Sequence, residues 1–407
     1  MNAVTAEAQR RGKYMSDKHN LKSLAIAIAL ACTTSPAFAQ APIKIGIVHP
    51  FSGPLALVGN DATDGFTHYF DSIENKISGR PVVLIKEDDA ANPSQGLERT
   101  RRLVEREQVH VLSGMTSSAV AYAIRGYVDQ RQVPLVIMGS AGANDLTDKQ
   151  ASPYIFRTSF SNRQLGGPFG GYACTKLGYK KVAIMASDFV TGHEQSAAFE
   201  EHLKKAGCEV ARKIMVPLGT SDFTPFLGQL ASSDANAVWA MFFAADAIAY
   251  VKQYESLGLK GKLPLIGPSG LIDPALLKGM GTAGVGVQAP LYYLPSFSSP
   301  ENKAFVESFR AKFNRTPGAT AVSGYVAALA IAKAIEAING KVEDKQAFLA
   351  ALKNVKIATP IGEFQFDEKQ NVVLDFYLSK VVQRDGNFDL ELVEPMAKRV
   401  DQFGQAQ

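Results

Sequence analysis

The sequence predicts an α/β protein: two open, parallel β-sheets, each covered by helices on both faces and arranged as two lobes about a hinge. Three observations predict it. Short β-branched runs alternate with amphipathic helical stretches, the pattern of βαβ units. The chain, at 407 residues, is too long for one ordinary core. Past residue 285 the alternation breaks, as in a chain that builds one sheet, then a second, and returns to add to both.

Taken in order, the elements begin after a leader. Lys18 and Lys22 precede an apolar run, residues 24–31, that ends in Ala37-Phe38-Ala39. This is the pattern of a secretory signal cut after Ala39, and its apolar run is too short to span a bilayer. Residues 1–14 make a long polar preface, so Met15 is an alternative start. Cys32 stands in a poor lipobox, so simple cleavage is the preferred reading and the expected location is the periplasm. No later stretch is expected to be long and apolar enough to cross a membrane.

Strands are expected at residues 43–48, 82–86, 109–112, 135–138, 181–185, 209–216, 237–242 and 263–266. Helices are expected between them at 93–107, 118–130, 164–177, 192–206, 223–232 and 245–257. An eight-stranded barrel is the structural competitor. Against it stand an extended segment at 285–293, a helix at 300–313 and a small-residue apolar helix at 324–339 that must be buried. The remaining elements are a helix at 345–352 and strands at 362–366 and 374–382.

Charge bounds the partners. The chain holds 43 Lys and Arg against 39 Asp and Glu, and removing the basic leader brings the two closer still. Nucleic acid and anionic membrane surfaces both favour a strong basic bias, so neither is an expected partner. Two cysteines come after the leader, Cys174 and Cys208. They are open to two readings, a bridge or two buried thiols, because a bridge needs Cα atoms within about 7 Å.

In an open parallel sheet a ligand sits beyond the carboxyl ends of the strands. The loop after each strand is therefore a candidate site. The first such loop is 113–118, where Ser117 or Ser118 can cap a helix whose start offers backbone N–H groups to an anion. The next is 139–144, containing Ser140, Ala141 and Gly142, small enough for a ligand to approach the backbone. Then come 187–192 with Phe189 and Thr191, Phe243, and Gly267-Pro268-Ser269. These are hydroxyls, amides and aromatic rings with few titratable groups, which suits binding more than reaction. Each serine alone is as well read as a helix cap or turn; their recurrence at successive strand ends favours a site.

Several catalytic patterns fail. Gly279 to Gly284 matches GxGxxG but comes after a helix-like stretch and leads into an extended one, so it reads as a loop. No P-loop and no GxSxG elbow is present. His49, His68, His110, His193 and His202 form no metal-spaced pair. Asp88-Asp89 precedes Asn92-Pro93 and reads as a turn. No cofactor, no metal and no enzymatic activity are expected.

The residues then resemble a known family, the leucine/isoleucine/valine-binding proteins, type I periplasmic solute-binding proteins of ABC importers. The likeness covers residues 42–382. It rests on Ile45-Gly46-Ile47 leading to Phe51-Ser52-Gly53-Pro54 and Gly59. Glu87-Asp88-Asp89 with Asn92-Pro93, residues 114–118, Phe156-Arg157-Thr158, Gly267-Pro268 and Phe364-Gln365-Phe366-Asp367 extend it. The resemblance implies two Rossmann-like lobes with parallel sheets joined by a three-crossover hinge. It also implies closure on a ligand and docking of the closed form on membrane permease subunits. Lobe 1 is expected at 40–159 plus 290–357, lobe 2 at 160–289 plus 358–407, and the chain is expected to be a monomer.

Position by position the resemblance also shows departures. The family's serine after the third strand falls on Ser118. A hydroxyl position in the next loop falls on Gly142, and a second-lobe tyrosine on Thr191. Further aromatic positions fall on Phe243 and Val58. The acid that pairs with an amino acid's ammonium falls on Ser269. A buried ammonium without a carboxylate costs several kcal/mol, so α-amino acids are expected to be rejected. Asn162 and Arg163 replace acidic positions, and Arg163 is open to two readings, a bidentate carboxylate partner or a solvated surface arginine. Phe189, Phe243, Tyr292 and Met241 are candidates for an apolar wall, Met241 more readily for the core. The expected ligand is a small organic acid with an apolar or aromatic body. An aliphatic amino acid or amide, a sensor subunit and a secreted two-lobe hydrolase are the alternatives; the last lacks a nucleophile elbow, a metal site and an obvious base.

Overall fold

The computed structural model describes residues 41–406 except 231. The expected leader and its cleavage site lie outside the described residues. The first sheet has six strands in the order β2-β3-β1-β4-β5-β6. These are β1 (Ile43–His49), β2 (Lys76–Ile77), β3 (Arg80–Asp88), β4 (Val111–Gly114), β5 (Leu135–Ile137) and β6 (Ile155–Arg157). All pairings are parallel except the short β2 against β3. The near-continuous burial of β1, β4 and β5 is what a parallel strand covered on both faces requires.

The second sheet has seven strands in the order β15-β14-β11-β10-β9-β7-β8. They are β7 (Lys181–Ser187), β8 (Glu209–Val216), β9 (Ala237–Met241), β10 (Leu265–Ile266), β11 (Gln288–Leu291), β14 (Leu374–Arg384) and β15 (Asn387–Val400). The last two run antiparallel. β15 was not expected. Most of its fourteen residues are exposed or half-buried, only Leu390 and Val400 are buried, and several are charged, the signature of a solvated edge strand rather than of a core strand. A small antiparallel pair, β12 (Lys356–Thr359) and β13 (Gly362–Gln365), stands apart. The helix expected at 223–232 is a single turn, Thr224–Leu227.

The chain passes between the sheets three times. The first passage runs from β6 into helix Asn162–Thr175. The second comes after β11, beyond which helices Pro300–Phe313, Ala319–Ala337 and Lys345–Lys353 pack on the first sheet. The third lies between β13 and β14. Phe364 and Phe366 belong to the first core, with Phe366 against Phe156 at 5.1 Å, so the chain re-enters the second sheet at β14, later than residue 358.

These passages are tied together. Ser161 and Gln164 form a capping box at helix Asn162–Thr175. Gln164 Nε2 also donates to the carbonyls of Val372 and Val400, and Ser161 Oγ donates to that of Gln402.

Helix Ala319–Ala337 corrects one expectation, because by length and composition it could cross a membrane. It is instead the central helix of the first core. It crosses helix Ala56–Ser72 so closely that a Cβ on Gly65 would lie 1.8 Å from the Ala321 carbonyl oxygen. A Cβ on Gly324 would lie 1.9 Å from that of Ala62. Only glycine permits this approach from either side. Cys174 and Cys208 are joined as a disulfide with Cα atoms 5.9 Å apart, which decides between the two readings of the pair.

Candidate functional site: an interlobe cavity with two chemically different ends

The strand ends of the two sheets face each other across a cleft, and its walls touch. Ser118 Oγ lies 3.1 Å from Thr191 Oγ1. Tyr122 OH donates to Glu194 Oε1 at 3.5 Å. Glu194 Oε2 accepts from the backbone N–H of Asn144 at 2.9 Å and from Asn162 Nδ2 at 2.8 Å. This is the geometry of a closed pair of lobes.

Two adjoining spaces lie inside. The larger, a cavity of about 30 Å³, is bounded by Phe160, Phe243, Tyr292, Ser269, Asp61 and Asp273, among others. The smaller, about 10 Å³, is bounded by Leu55, Val58, Thr116, Ser140, Phe189, Thr191 and Phe243. Val58, Ser140 and Phe243 line both, so the two form one elongated cavity.

At the smaller end the chemistry favours an anion. Helix Val190–Lys205 begins at Phe189 and helix Ala244–Ser256 begins at Phe243; neither residue offers a side-chain cap. Their first backbone N–H groups are left to other acceptors, and a helix start carries partial positive charge. Helix Ser118–Arg131, by contrast, is capped by Ser117 Oγ, which accepts from Val120 N–H. Thr116 Oγ1 is buried without a partner. His49 lies behind it, its Nδ1 3.0 Å from Thr63 Oγ1. Burial lowers the His49 pKa to about 3, so the ring is neutral at pH 7. No acidic residue borders this end.

The larger end is acidic. Asp61 is 4 % exposed; its Oδ1 accepts from Arg315 Nη1, and Arg315 Nη2 also donates to Asp64 at 2.6 Å. Asp61 Oδ2 has no partner. Burial first, and then the Asp273 carboxylate, raise the Asp61 pKa to about 7. Asp273 is raised as well, chiefly by burial. It caps helix Pro274–Met280 through Ala275 N–H at 3.0 Å and also accepts from the backbone of Ala319 and Thr320. The second lobe thereby caps a first-core helix whose own N-cap, Gly318, has no side chain to do it.

The structure sorts the residues named from sequence. Ser140, Phe189, Thr191, Phe243 and Ser269 line the cavity, and Ser118 touches Thr191 at its rim. Ser117 is a helix cap, and Ala141 is packed in the first lobe's second core cluster. Asn162 is fully buried and holds Glu194. Gly142 is glycine for a reason: a Cβ there would lie 2.5 Å from Asn162 Oδ1. Its missing hydroxyl therefore reflects hinge packing as much as ligand choice. Arg163 is engaged elsewhere, 3.1 Å from Asp148 and over the Phe403 ring at 5.8 Å, so its guanidinium does not reach the cavity as a carboxylate partner. Tyr292 lines the larger end with its hydroxyl 3.0 Å from Ser323 Oγ, while Met241 is core.

Sequence reasoning missed Asp61 and Asp273, which add two carboxyl groups to a cavity expected to be lined by hydroxyls, amides and rings with few titratable groups. Asp61 lies within the helix after β1, and nothing local marks it. Asp273 reads as an ordinary cap before Pro274. Thr116 lies in the 113–118 loop, where the neighbouring serines are the more obvious candidates.

The model of the periplasmic binding protein family matches residues 42–387. The chain belongs to that family. A curated relative is Leu/Ile/Val-binding protein homolog 6 of Brucella suis biovar 1, 31% identical over 390 residues, covering 94% of this chain and 98% of that protein. Among solved structures, an ABC transporter substrate-binding protein from Sphaerobacter thermophilus is 37% identical with a TM-score of 0.82, covering 88% of this chain and 99% of that one. A solute-binding protein of an ABC transporter from R. palustris, in complex with benzoate, is 30% identical with a TM-score of 0.84, covering 89% and 99%. The fold is thus that of the type I periplasmic binding proteins, and the chain is an ABC transporter substrate-binding protein.

Proposed function

We propose that this periplasmic binding protein captures a small aromatic carboxylate by lobe closure and delivers it to the membrane permease of an ABC importer. Secretion with cleavage near Ala39 and action as a monomer belong to the same reading. The observation that carries it is the separation of charge along the cavity. A ligand carboxylate is favoured at the smaller end, by helix starts and hydroxyls, whereas the larger end presents the carboxyl groups of Asp61 and Asp273. An α-amino acid carries its ammonium on the carbon next to the carboxylate, so both groups must occupy the same end. The end that suits the carboxylate borders no acid to hold the ammonium. Phe189 and Phe243, edge to face at 6.4 Å, supply a wall on which an aromatic body packs. The benzoate held by the R. palustris protein supports this class of ligand.

The name of the Brucella relative and the carboxylates at the larger end favour a second reading, an aliphatic amino acid bound in the reverse sense. The test is calorimetric and thermal titration of protein stripped of carried-over ligand by unfolding and refolding. Benzoate at a hundred times its Kd should add about 2.7 kcal/mol of stability by mass action, with leucine silent. Stabilisation by leucine and not by benzoate would replace the first reading with the second.

A further inference from the structure

One helix cap in this protein is supplied across the cleft. Helix Ala319–Ala337 belongs to the first core, and its N-cap, Gly318, has no side chain to offer. The first N–H groups of a helix find no partner within it. Here those of Ala319 and Thr320 are taken by the carboxyl of Asp273. Asp273 comes from the second lobe, between Ile272 and Leu276 of the second core, and also caps its own helix through Ala275 N–H at 3.0 Å. The fit leaves no room. A Cβ on Gly318 would lie 2.3 Å from Asp273 Oδ1 and 2.5 Å from Oδ2. The backbone does not call for glycine there, since φ is −99° and ψ −174°, an extended conformation open to any residue. The missing side chain is needed only so that the Asp273 carboxyl can approach. Asp273, Ala319 and Thr320 also border the cavity, so the contact forms where the ligand is enclosed.

We propose that Asp273 is the latch of lobe closure: it caps helix Ala319–Ala337 only when the lobes meet, and Gly318 is the notch that admits it. This inference rests on the reading of capture by lobe closure, and not on which ligand is captured. When the lobes part, Asp273 keeps its own helix, whereas the N–H groups of Ala319 and Thr320 are left to water. Closure gives them a fixed acceptor at a helix start, where the helix dipole favours an oxygen. The contact does not require full charge. Burial raises the pKa of Asp273, and that of Asp61 beside it to about 7, but a protonated carboxyl still carries an oxygen that accepts. Arg315, the cation nearest this pair, is bonded to Asp61 and Asp64, and the Asp273 bonds are to backbone. A side chain at position 318 therefore separates the two states. It is compatible with parted lobes and blocks the closed form, so a ligand that binds only the closed form loses affinity to the same degree.

The experiment measures the closed-to-open ratio from the distance between spin labels placed by Val83→Cys and Leu257→Cys. These are exposed positions, one on β3 of the first sheet and one at the end of helix Ala244–Ser256 in the second lobe. Cys174 and Cys208 are bridged and take no label. The ratio is read without ligand and at one fixed concentration of benzoate or of leucine, with thermal unfolding of each ligand-free variant alongside. Gly318→Ala and Gly318→Ser should lower the ratio about fivefold or more, the usual value of a cap, and weaken the probe that closes the protein by the same factor. The ligand-free unfolding midpoint of Gly318→Ser should not fall, because serine caps the helix from within. A merely structural glycine would do the opposite, lowering the midpoint and leaving the ratio alone. Asp273→Ala should also lower the ratio, and Asp273→Asn should restore it, since the amide oxygen accepts from the same N–H groups. An unchanged ratio in both Gly318 variants would overturn the inference, and so would wild-type protein that closes with neither probe. Closure by leucine and not by benzoate would overturn the aromatic reading alone, leaving the latch to the same comparison of variants. Where a Gly318 variant fails to fold, the Asp273 pair decides by the same readout.

Discussion

Replacing Arg157 with methionine should release the loop that carries Ser140 and Gly142. Arg157 ends β6 and is fully buried. Its Nη1 donates to the carbonyls of Gly142 and Phe160, each at 3.2 Å. Its Nη2 donates to the carbonyl of Ala143 at 2.8 Å and to Thr147 Oγ1 at 3.3 Å. Among the described residues no carboxylate pairs with it directly; burial lowers its pKa to about 10, and the side chain stays charged at pH 7. The guanidinium is thus a clamp made of neutral acceptors. Methionine keeps the apolar stem and removes all four bonds. Gly142 O retains one partner, Asn162 N–H at 2.7 Å, but Phe160 O and Ala143 O lose the arginine. At about 1–3 kcal/mol for each orphaned acceptor, the loss is about 2–6 kcal/mol. Relief of the guanidinium's own desolvation offsets part of it, leaving about 3 kcal/mol. Urea unfolding read through Trp239, which is buried and stacked on Phe199 at 4.9 Å, measures this as a lower midpoint at unchanged slope. Ligand affinity should fall as well, because Ser140 of the same loop lines the site. Arg157→Lys should recover little, since a lysine cannot fork to four acceptors in one plane. A change under 1 kcal/mol with unaltered affinity would refute the clamp.

Ser118→Ala and Thr191→Val should each weaken aromatic-acid binding about three- to tenfold, the value of one hydrogen bond. The double variant should lose little more than either; full additivity in a titration cycle would show that the 3.1 Å pair is not a closure contact. Gly142→Ser should destabilise by about 1–3 kcal/mol, the usual cost of overpacking, because Asn162 is itself held by Glu194. It should confer no leucine binding, and leucine stabilisation in a thermal-shift assay would contradict this. Replacing Cys174 and Cys208 by serine opens a bridge of sequence separation 34 and should cost about 4 kcal/mol on loop-entropy grounds; the same denaturation midpoint with and without reductant would argue against it. Asp61, raised to about 7, binds its proton more tightly in the folded protein than in the unfolded chain. Its contribution is therefore full below pH 3.8 and lost as the pH rises through 7. Asp61→Asn should flatten the stability profile across that window, and an unchanged profile would place the titration elsewhere.

The pattern of strands and helices was legible because each element's face is written locally. β9 is a continuous apolar run, β1 and β7 are apolar apart from Lys44 and His49 and from Lys181 and Ser187, and the helices between them alternate in the expected order. β15 escaped because an edge strand needs only half its surface buried and can be as charged as a loop. Thr191, Phe243 and Ser269 could be found as site residues because a parallel sheet places every strand end on one side. Asp61 could not be found in this way, because the wall it forms is completed by Asp273, more than two hundred residues later in the chain. Arg163 shows the converse: its residue type suited a carboxylate, but Asp148 on a neighbouring turn took the guanidinium.

By itself, the sequence determined that this is a two-lobed α/β binding protein with strand-end loops rich in hydroxyls and rings, since periodicity and turn chemistry act over a few residues. Only the tertiary structure decided that the cavity has an acidic end, that Arg163 faces away from it and that Gly142 admits no side chain. Those properties depend on distances between segments far apart in the chain, and such distances are set when both lobes pack and close.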